Sequence, residues 1–183
     1  SFKRRVDIIS IPVVYWPDKP TINNYIETFV DRGFYIQLGN SLTIAVIVTF
    51  ISLVFGTFAA YALARFTYFG NFKKHMSFWI LSTRMIPPIV TLIPLYVLFS
   101  TICLLNTKLS LIIAYTGFNL PFVVWMMKGY FNEIPFEIEE SAMVDGDTRF
   151  GAMLRIAIPL AKPSIAATAI FSFLLSWNEM LLA

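Results

Sequence analysis

Apolar and polar positions along the chain sort into long uncharged runs separated by short charged connectors. From Asn40 to Ala64 there is no Asp, Glu, Lys or Arg. Since about 20 helical residues rising ~1.5 Å each cross a hydrocarbon core, 40–64 is predicted to be a membrane span. Within it Ser52, Gly56, Ala60 and Ala64 recur every fourth residue. That spacing either lines one helix face with small side chains, letting a second helix approach closely, or reflects chance in an Ala-rich helix. Three more spans are predicted at 76–105, 108–131 and 162–183. The second is long for one crossing and carries RMIPP, so Pro87 and Pro88 should kink or break it after Arg84. The third contains a proline in FNLPF, and the fourth has Trp177 near its end with Glu179 close behind.

The connectors differ in character. Residues 1–38 mix charges with Pro12, Pro17 and Pro20, and PTINNYIETF carries the capping signal of a short helix starting near Thr21. Arg65, Lys73, Lys74 and His75 form a short basic connector that the positive-inside rule assigns to the cytoplasm, which leaves 1–38 as an external loop. Lys3, Arg4, Arg5, Lys19 and Arg32 on the outer side partly offset that bias. The connector 132–161 is acidic, with Glu133, Glu137, Glu139, Glu140, Asp145 and Asp147 against Arg149 and Arg155, and is predicted to lie in water. Asn132 is expected to cap a helix starting around Pro135, and Asp145-Gly146 to turn the chain. Asp147 or Thr148 then caps a second helix, TRFGAMLRIAI, with Phe150, Leu154 and Ile158 as an apolar stripe and Pro159 and Pro163 as its end. The stripe serves either the protein's own cytoplasmic face or a partner. The predicted fold is all-α: a polytopic transmembrane helical bundle with a cytoplasmic helix-turn-helix loop.

Composition narrows the class. Of 183 residues 57 % are apolar and only 14 % charged, too greasy for a soluble domain of this size. The net charge of +3 comes from scattered cations, so nucleic acid is not an expected partner. Cys103 and His75 each stand alone, which excludes a disulfide framework and a zinc site built from these residue types. SFKRRVDIISIPVVYW has a basic start, but Asp7 and Pro12 interrupt its apolar patch and no small-residue cleavage site follows, so it is not read as a signal peptide. A Ser at position 1 and an end inside the apolar run LLA lead to the expectation of a fragment of a longer polypeptide. A membrane hydrolase using Asp145 and Asp147 fits poorly, because both fall in the aqueous connector without a nucleophile and base pair.

The run E-S-A-M-V-D-G, then nine residues, then I-A-I-P, resembles the EAA loop of ABC importer membrane subunits. Glu140, Ala142, Gly146, Ile156 and Pro159 match that pattern, with Ser141 in place of Ala and Ile158 in place of Leu. PTINNY, GNSL, LARF, LIPLY, LLNTKLSLI, NLPFVVWMMKGYF, IPFEIEE and SWNE, in order, resemble the carbohydrate-uptake, maltose-type branch, the binding-protein-dependent transport inner membrane components. The resemblance implies that 1–183 is one transmembrane domain with four of six spans visible and 132–161 as its coupling loop. It implies that Glu140, Ser141, Ala142, Asp145, Gly146, Phe150, Ile156 and Pro159 engage a cytoplasmic ATPase. It further implies a second permease subunit, two ATPase subunits and an external solute-binding protein as partners, in the bacterial inner membrane. ATP and Mg would sit on the ATPase, consistent with the absence of a G-x-x-x-x-G-K-[ST] loop here.

Polar groups inside spans should face a cavity or a partner. Arg84, Tyr115, Asn119, Ser172, Ser176, Asn178 and Glu179 are the candidates for a substrate path. Arg84 has a second reading, as a residue snorkelling to an interface or capping carbonyls freed at Pro87. Thr168, Ser172, Ser176 and Glu179 follow helical spacing, and their stripe either lines the path or mediates helix packing. The expected function is a permease subunit of an ATP-driven importer for a sugar, oligosaccharide or polyol, with no catalytic residue and no metal of its own. The alternative is a proton-coupled secondary transporter using Glu179 as relay.

Overall fold

The computed structural model describes residues 2, 16, 20–66 and 71–179. The basic residues 3–5, Asp7, Pro12, Pro17, Lys19 and residues 180–183 of the fourth predicted span lie outside the described residues. Two compact units are distinguished, residues 1–43 and 44–183.

In the first unit a short helix, α1 (Asn23–Ile26), runs into a π-helical turn, Glu27–Asp31. The Thr21 hydroxyl accepts the Asn23 N–H at 3.2 Å, the interaction that makes a threonine a good start signal. Gly33, at φ +62, separates this turn from α2 (Phe34–Arg65), a helix of 32 residues. The α2 helix therefore begins six residues before the predicted span and ends one residue after it.

In the second unit α2 is followed by α3 (Asn71–Thr83), α4 (Pro88–Thr101), α5 (Lys108–Glu133), α6 (Glu137–Val144), α7 (Arg149–Leu160) and α8 (Lys162–Trp177). The helices α2 and α5 are long and apolar enough to cross a membrane, and the count reaches four if each of two bent pairs is one span. The pair α3 and α4 turns through 86° at Arg84–Pro87, where proline cannot donate to the preceding turn. The break expected after Arg84 in the span predicted at 76–105 is thus present, and it divides the segment into two helices. Its predicted end is corrected: α4 stops at Thr101, and Cys103 and Asn106 adopt left-handed backbone (φ 55 and 59) in the turn before α5. Thr107 caps α5 by accepting the Ser110 N–H at 3.2 Å.

Two further boundaries move. Asn132 stays inside α5 and caps nothing; the break falls at Ile134-Pro135, and α6 starts at Glu137 without a side-chain cap. Pro159 does not end α7, because a π-helical turn at Met153–Ala157 precedes it, with the Ile158 N–H bonded to the Met153 carbonyl. That wider turn makes room for the proline ring against the carbonyl one turn back. The chain bends instead at Ala161, by 73°, into α8, which has 16 residues and closes at Trp177, shorter than the span predicted at 162–183.

The core of this unit is assembled around α5. Val123, Val124, Met127 and Phe131 pack against Ala60 and Tyr61 of α2 and against Met153, Ala157 and Ala161. A second cluster joins Ile44, Val48, Phe99, Ala114 and Tyr115. The small-residue face of α2 makes the close approach possible. A Cβ built on Gly56 would stand 2.6 Å from Val123 Cγ1, so only glycine fits there. Ser52 and Ala60 are fully buried on the same face. Close helix packing, not chance spacing, accounts for the four-residue repeat at these positions. Lys128 on α5 donates to Ser77 Oγ of α3 at 2.7 Å.

Candidate functional site

The helix-turn-helix over 137–160 is built by local rules. Glu137, Glu139 and Glu140 fill the first turn of α6, where carboxylates complement the helix dipole. At its other end the Asp147 N–H bonds the Ala142 carbonyl at 3.0 Å and the Gly146 N–H bonds the Met143 carbonyl at 3.2 Å. Gly146 sits at φ +96, a conformation that costs an L-residue roughly 1–2 kcal/mol. This is a Schellman closure. Thr148 then caps α7 by accepting the Gly151 N–H at 3.0 Å, while Asp147 Oδ1 accepts the Thr148 N–H at 2.9 Å. An exposed Arg155 pairs with Asp147 at 3.4 Å, a contact worth little in water.

Of the residues expected to engage a partner, Ser141, Ala142, Asp145, Ile156 and Pro159 line one surface groove of about 500 Å³, with Ile138, Arg155 and Leu160. Glu140, Gly146 and Phe150 are exposed beside that groove and do not line it. The predicted stripe on α7 divides: Ile158 packs against the core, beside the buried Ala152, Met153 and Ala157, while Phe150 (61 % exposed) and Leu154 (43 %) face outward. The Phe150 ring stacks on Phe58 of α2 at 6.4 Å. Val144, at the end of α6, is 86 % exposed, so the turn carries an apolar tip.

The expectation that every charge of 132–161 lies in water fails at Glu139. Its side chain is 1 % exposed. Arg65 Nε donates to Glu139 Oε1 at 2.8 Å, and the Tyr61 hydroxyl donates to Oε2 at 2.6 Å. Arg65 Nη2 donates to the Ile134 carbonyl at 2.9 Å, and its guanidinium lies over the Phe136 ring at 5.3 Å. Arg65, read from sequence as part of a basic connector, is itself buried. Helical phase could not have flagged it, since Glu139 and Glu140 both stand three or four residues from Phe136 and Met143; what selects Glu139 is the pair Tyr61 and Arg65 on α2.

A second site lies in a cavity of about 620 Å³ lined by residues from the α3–α4 break, α4, α5 and the end of α8. Arg84, Tyr115, Asn119, Ser176 and Glu179 all line it. Asn119 Nδ2 donates to Ser176 Oγ at 2.7 Å, and Ser176 Oγ donates to the Ser172 carbonyl at 3.0 Å. Asn119 Oδ1 is buried without a hydrogen-bond partner. The Tyr115 hydroxyl reaches the Glu179 carbonyl at 3.4 Å. Arg84 donates to the Phe118 carbonyl at 3.3 Å and lies over the Phe122 ring at 4.9 Å, so the carbonyl it takes belongs to α5 and not to the break at Pro87. Ser172 and Asn178 are not part of the cavity lining: Ser172 is wholly buried, Asn178 exposed. Thr168 is buried against α5, its hydroxyl 3.7 Å from Met127 Sδ, as helix packing requires. Among the described residues no group of three His, Cys, Asp or Glu side chains is placed to hold a metal ion.

These features define a membrane protein, helical throughout its described elements, with a largely apolar cavity carrying a few polar groups among its helices and a helix-turn-helix beside its spans. The family model for the binding-protein-dependent transport system inner membrane component matches residues 52–183, and the chain belongs to that family. It is 32 % identical over 183 residues to the sulfoquinovosyl glycerol transport system permease protein of Agrobacterium fabrum, covering 100 % of this chain and 64 % of that protein. It is 32 % identical over 182 residues to a diacetylchitobiose uptake system permease protein of Streptomyces coelicolor, covering 100 % of this chain and 59 % of that protein. With the trehalose transport system permease protein of Mycobacterium tuberculosis the identity is 36 % over 167 residues, 91 % of this chain and 60 % of that protein. The chain spans less than two thirds of the length of each of these relatives.

Proposed function

We propose that this chain is a membrane-spanning subunit of an ATP-driven importer, moving a sugar, oligosaccharide or polyol handed over by an external binding protein. It carries no covalent chemistry. ATP and Mg belong to a pair of partner ATPase subunits, and a second permease subunit completes the path. The observation that carries this reading is the helix-turn-helix, with Glu140 exposed in the first turn of α6, Gly146 exposed at the turn, and Ile156 and Pro159 in the groove. Its turn, closed at Gly146 and capped by Thr148, holds the two helices together as a body suited to receive motion from outside the membrane. The relatives named as permeases for sulfoquinovosyl glycerol, diacetylchitobiose and trehalose support a carbohydrate as cargo. The cavity suits such a cargo chemically, since it offers hydroxyl, amide and charged groups against apolar walls.

Substitution at the turn tests the reading. Proline is locked near φ −65°, so Gly146→Pro abolishes both the left-handed turn and the N–H bond to Met143. Glu140→Lys reverses an exposed charge in the first turn of α6. Both variants are expected to insert normally and to lose uptake at least tenfold in the reconstituted complex. Full uptake in either would overturn the coupling role.

A further inference from the structure

The buried trio Tyr61, Arg65 and Glu139 is not used by anything described so far, and its construction is unusual. Tyr61 and Arg65 stand four apart on α2 and so form a two-pronged clamp on one helix face. Glu139 enters that clamp from the first turn of α6, 74 residues distant in sequence from Arg65. Both carboxylate oxygens are bonded, and the guanidinium also takes the Ile134 carbonyl at the joint between α5 and α6. Phe131 meets Tyr61 edge-on at 5.5 Å, and Phe136 covers Arg65, which keeps water from the pair.

A buried ion pair is a poor choice for stability alone, because apolar side chains of the same volume often do as well or better. What it supplies is direction. The contacts of α7 with the core are small and apolar (Ala152, Ala157) or flexible (Met153), and its contacts at the end of α2 are loose ring contacts, Phe150 on Phe58 at 6.4 Å and Arg149 over Phe66 at 5.2 Å; none of these fixes a direction as short hydrogen bonds do. Charge-assisted hydrogen bonds of 2.6–2.9 Å do not tolerate a shift of even a fraction of that length. The helix-turn-helix is joined covalently to α5 through residues 134–136 and to α8 through Ala161, but to α2 it has no nearby chain connection.

We propose that Tyr61, Arg65 and Glu139 are positioning residues forming a strut that makes the end of α2 move with the helix-turn-helix, so that one displacement at α6 drives α2, α5 and α8 together. The proposal rests on the transport function proposed above. The strut acts in transmission, not in docking: Glu140, its exposed neighbour, is free to meet a partner while Glu139 is committed inward.

The test is the ratio of carbohydrate taken up to ATP hydrolysed by the full complex in proteoliposomes. Glu139→Gln, which keeps shape and removes charge, is expected to lower that ratio about tenfold while the ATPase subunits still co-purify. Tyr61→Phe, which removes one hydrogen bond, is expected to lower it about threefold. The double exchange of Arg65→Glu with Glu139→Arg should recover part of the loss. An unchanged ratio, with any fall in uptake following the amount of inserted protein, would overturn the strut; if Glu139→Gln does not insert, the ratio for Tyr61→Phe decides. Absence of ATP-driven uptake in the unsubstituted complex would refute the transport function and not the strut. The strut is then decided by spin-label distances between Ala62→Cys and Val144→Cys in a Cys103→Ser background. A distribution at least twofold broader with Glu139→Gln supports it, and equal widths overturn it.

Discussion

Gly56 shows how a single missing carbon sets the spacing of two helices. A Cβ there would lie 2.6 Å from Val123 Cγ1 and 2.9 Å from Val123 Cβ. A β-branched side chain on a helix is held to one rotamer, so Val123 cannot swing away. Gly56→Ala should therefore destabilise the purified protein by about 1–3 kcal/mol, the usual range for overpacking, read as a lowered thermal midpoint. Adding Val123→Ala, which removes Cγ1 but keeps the Cβ at 2.9 Å, should restore part of it, and a double variant no more stable than Gly56→Ala alone would count against the contact. This face was legible in the sequence because small residues every four positions have few other uses in an uncharged helix. Glu139 was not legible in the same way. Adjacent glutamates in an acidic connector look alike in composition and in spacing to Phe136 and Met143, and only the distant Tyr61 and Arg65 separate the buried one from the exposed one. Arg65 was missed for a related reason, since its partner lies 74 positions away.

At the scale of elements, the turn chemistry read through directly. Asp145-Gly146 and Thr148 behave as a helix stop and a helix start should, and the hydrogen bonds are those the residue types imply. Proline positions were harder. Pro87 and Pro88 break a helix, whereas Pro121 lies within α5 and Pro159 within α7. A π-helical turn resolves the conflict at Pro159, and such turns have no simple sequence signature. The apolar stripe of α7 was assigned as Phe150, Leu154 and Ile158; Ile158 packs against the core while Phe150 and Leu154 are exposed, Phe150 with one face on Phe58, and Ala152, Met153 and Ala157 hold the helix down. That division favours a partner for the outer face. Phe150→Asp should leave insertion and folding intact and reduce co-purification of the ATPase subunits about tenfold. Undiminished co-purification would remove Phe150 from the docking surface.

For the whole molecule, hydropathy identified helices, and Pro87 and Pro88 marked one bend, but the bend at Ala161 was not legible. Two crossings are continuous, while the other two exist only if α3 with α4, and α7 with α8, each count as one bent span. Length and apolarity are local properties, and a bend of 86° is decided by what packs around the break. The cavity follows from that break: Thr83, Arg84, Ile86 and Pro88 supply one wall, α5 another and the end of α8 a third. Polar residues spaced along separate helices thus converge on one space, and Tyr115, Asn119 and Ser176 meet there although 61 positions separate the first from the last. Ser172, on the same stripe as Ser176, is instead buried in packing. The central claim is that this cavity is opened to either side by energy delivered through the helix-turn-helix from a partner's ATP hydrolysis. It is tested most directly by accumulation of labelled oligosaccharide in proteoliposomes that hold the chain with its partner subunits, under a supply of binding protein. Accumulation that requires ATP and is unaffected by an uncoupler is the predicted result. Accumulation that persists without ATP and collapses with the uncoupler would contradict it and make Glu179 a proton relay.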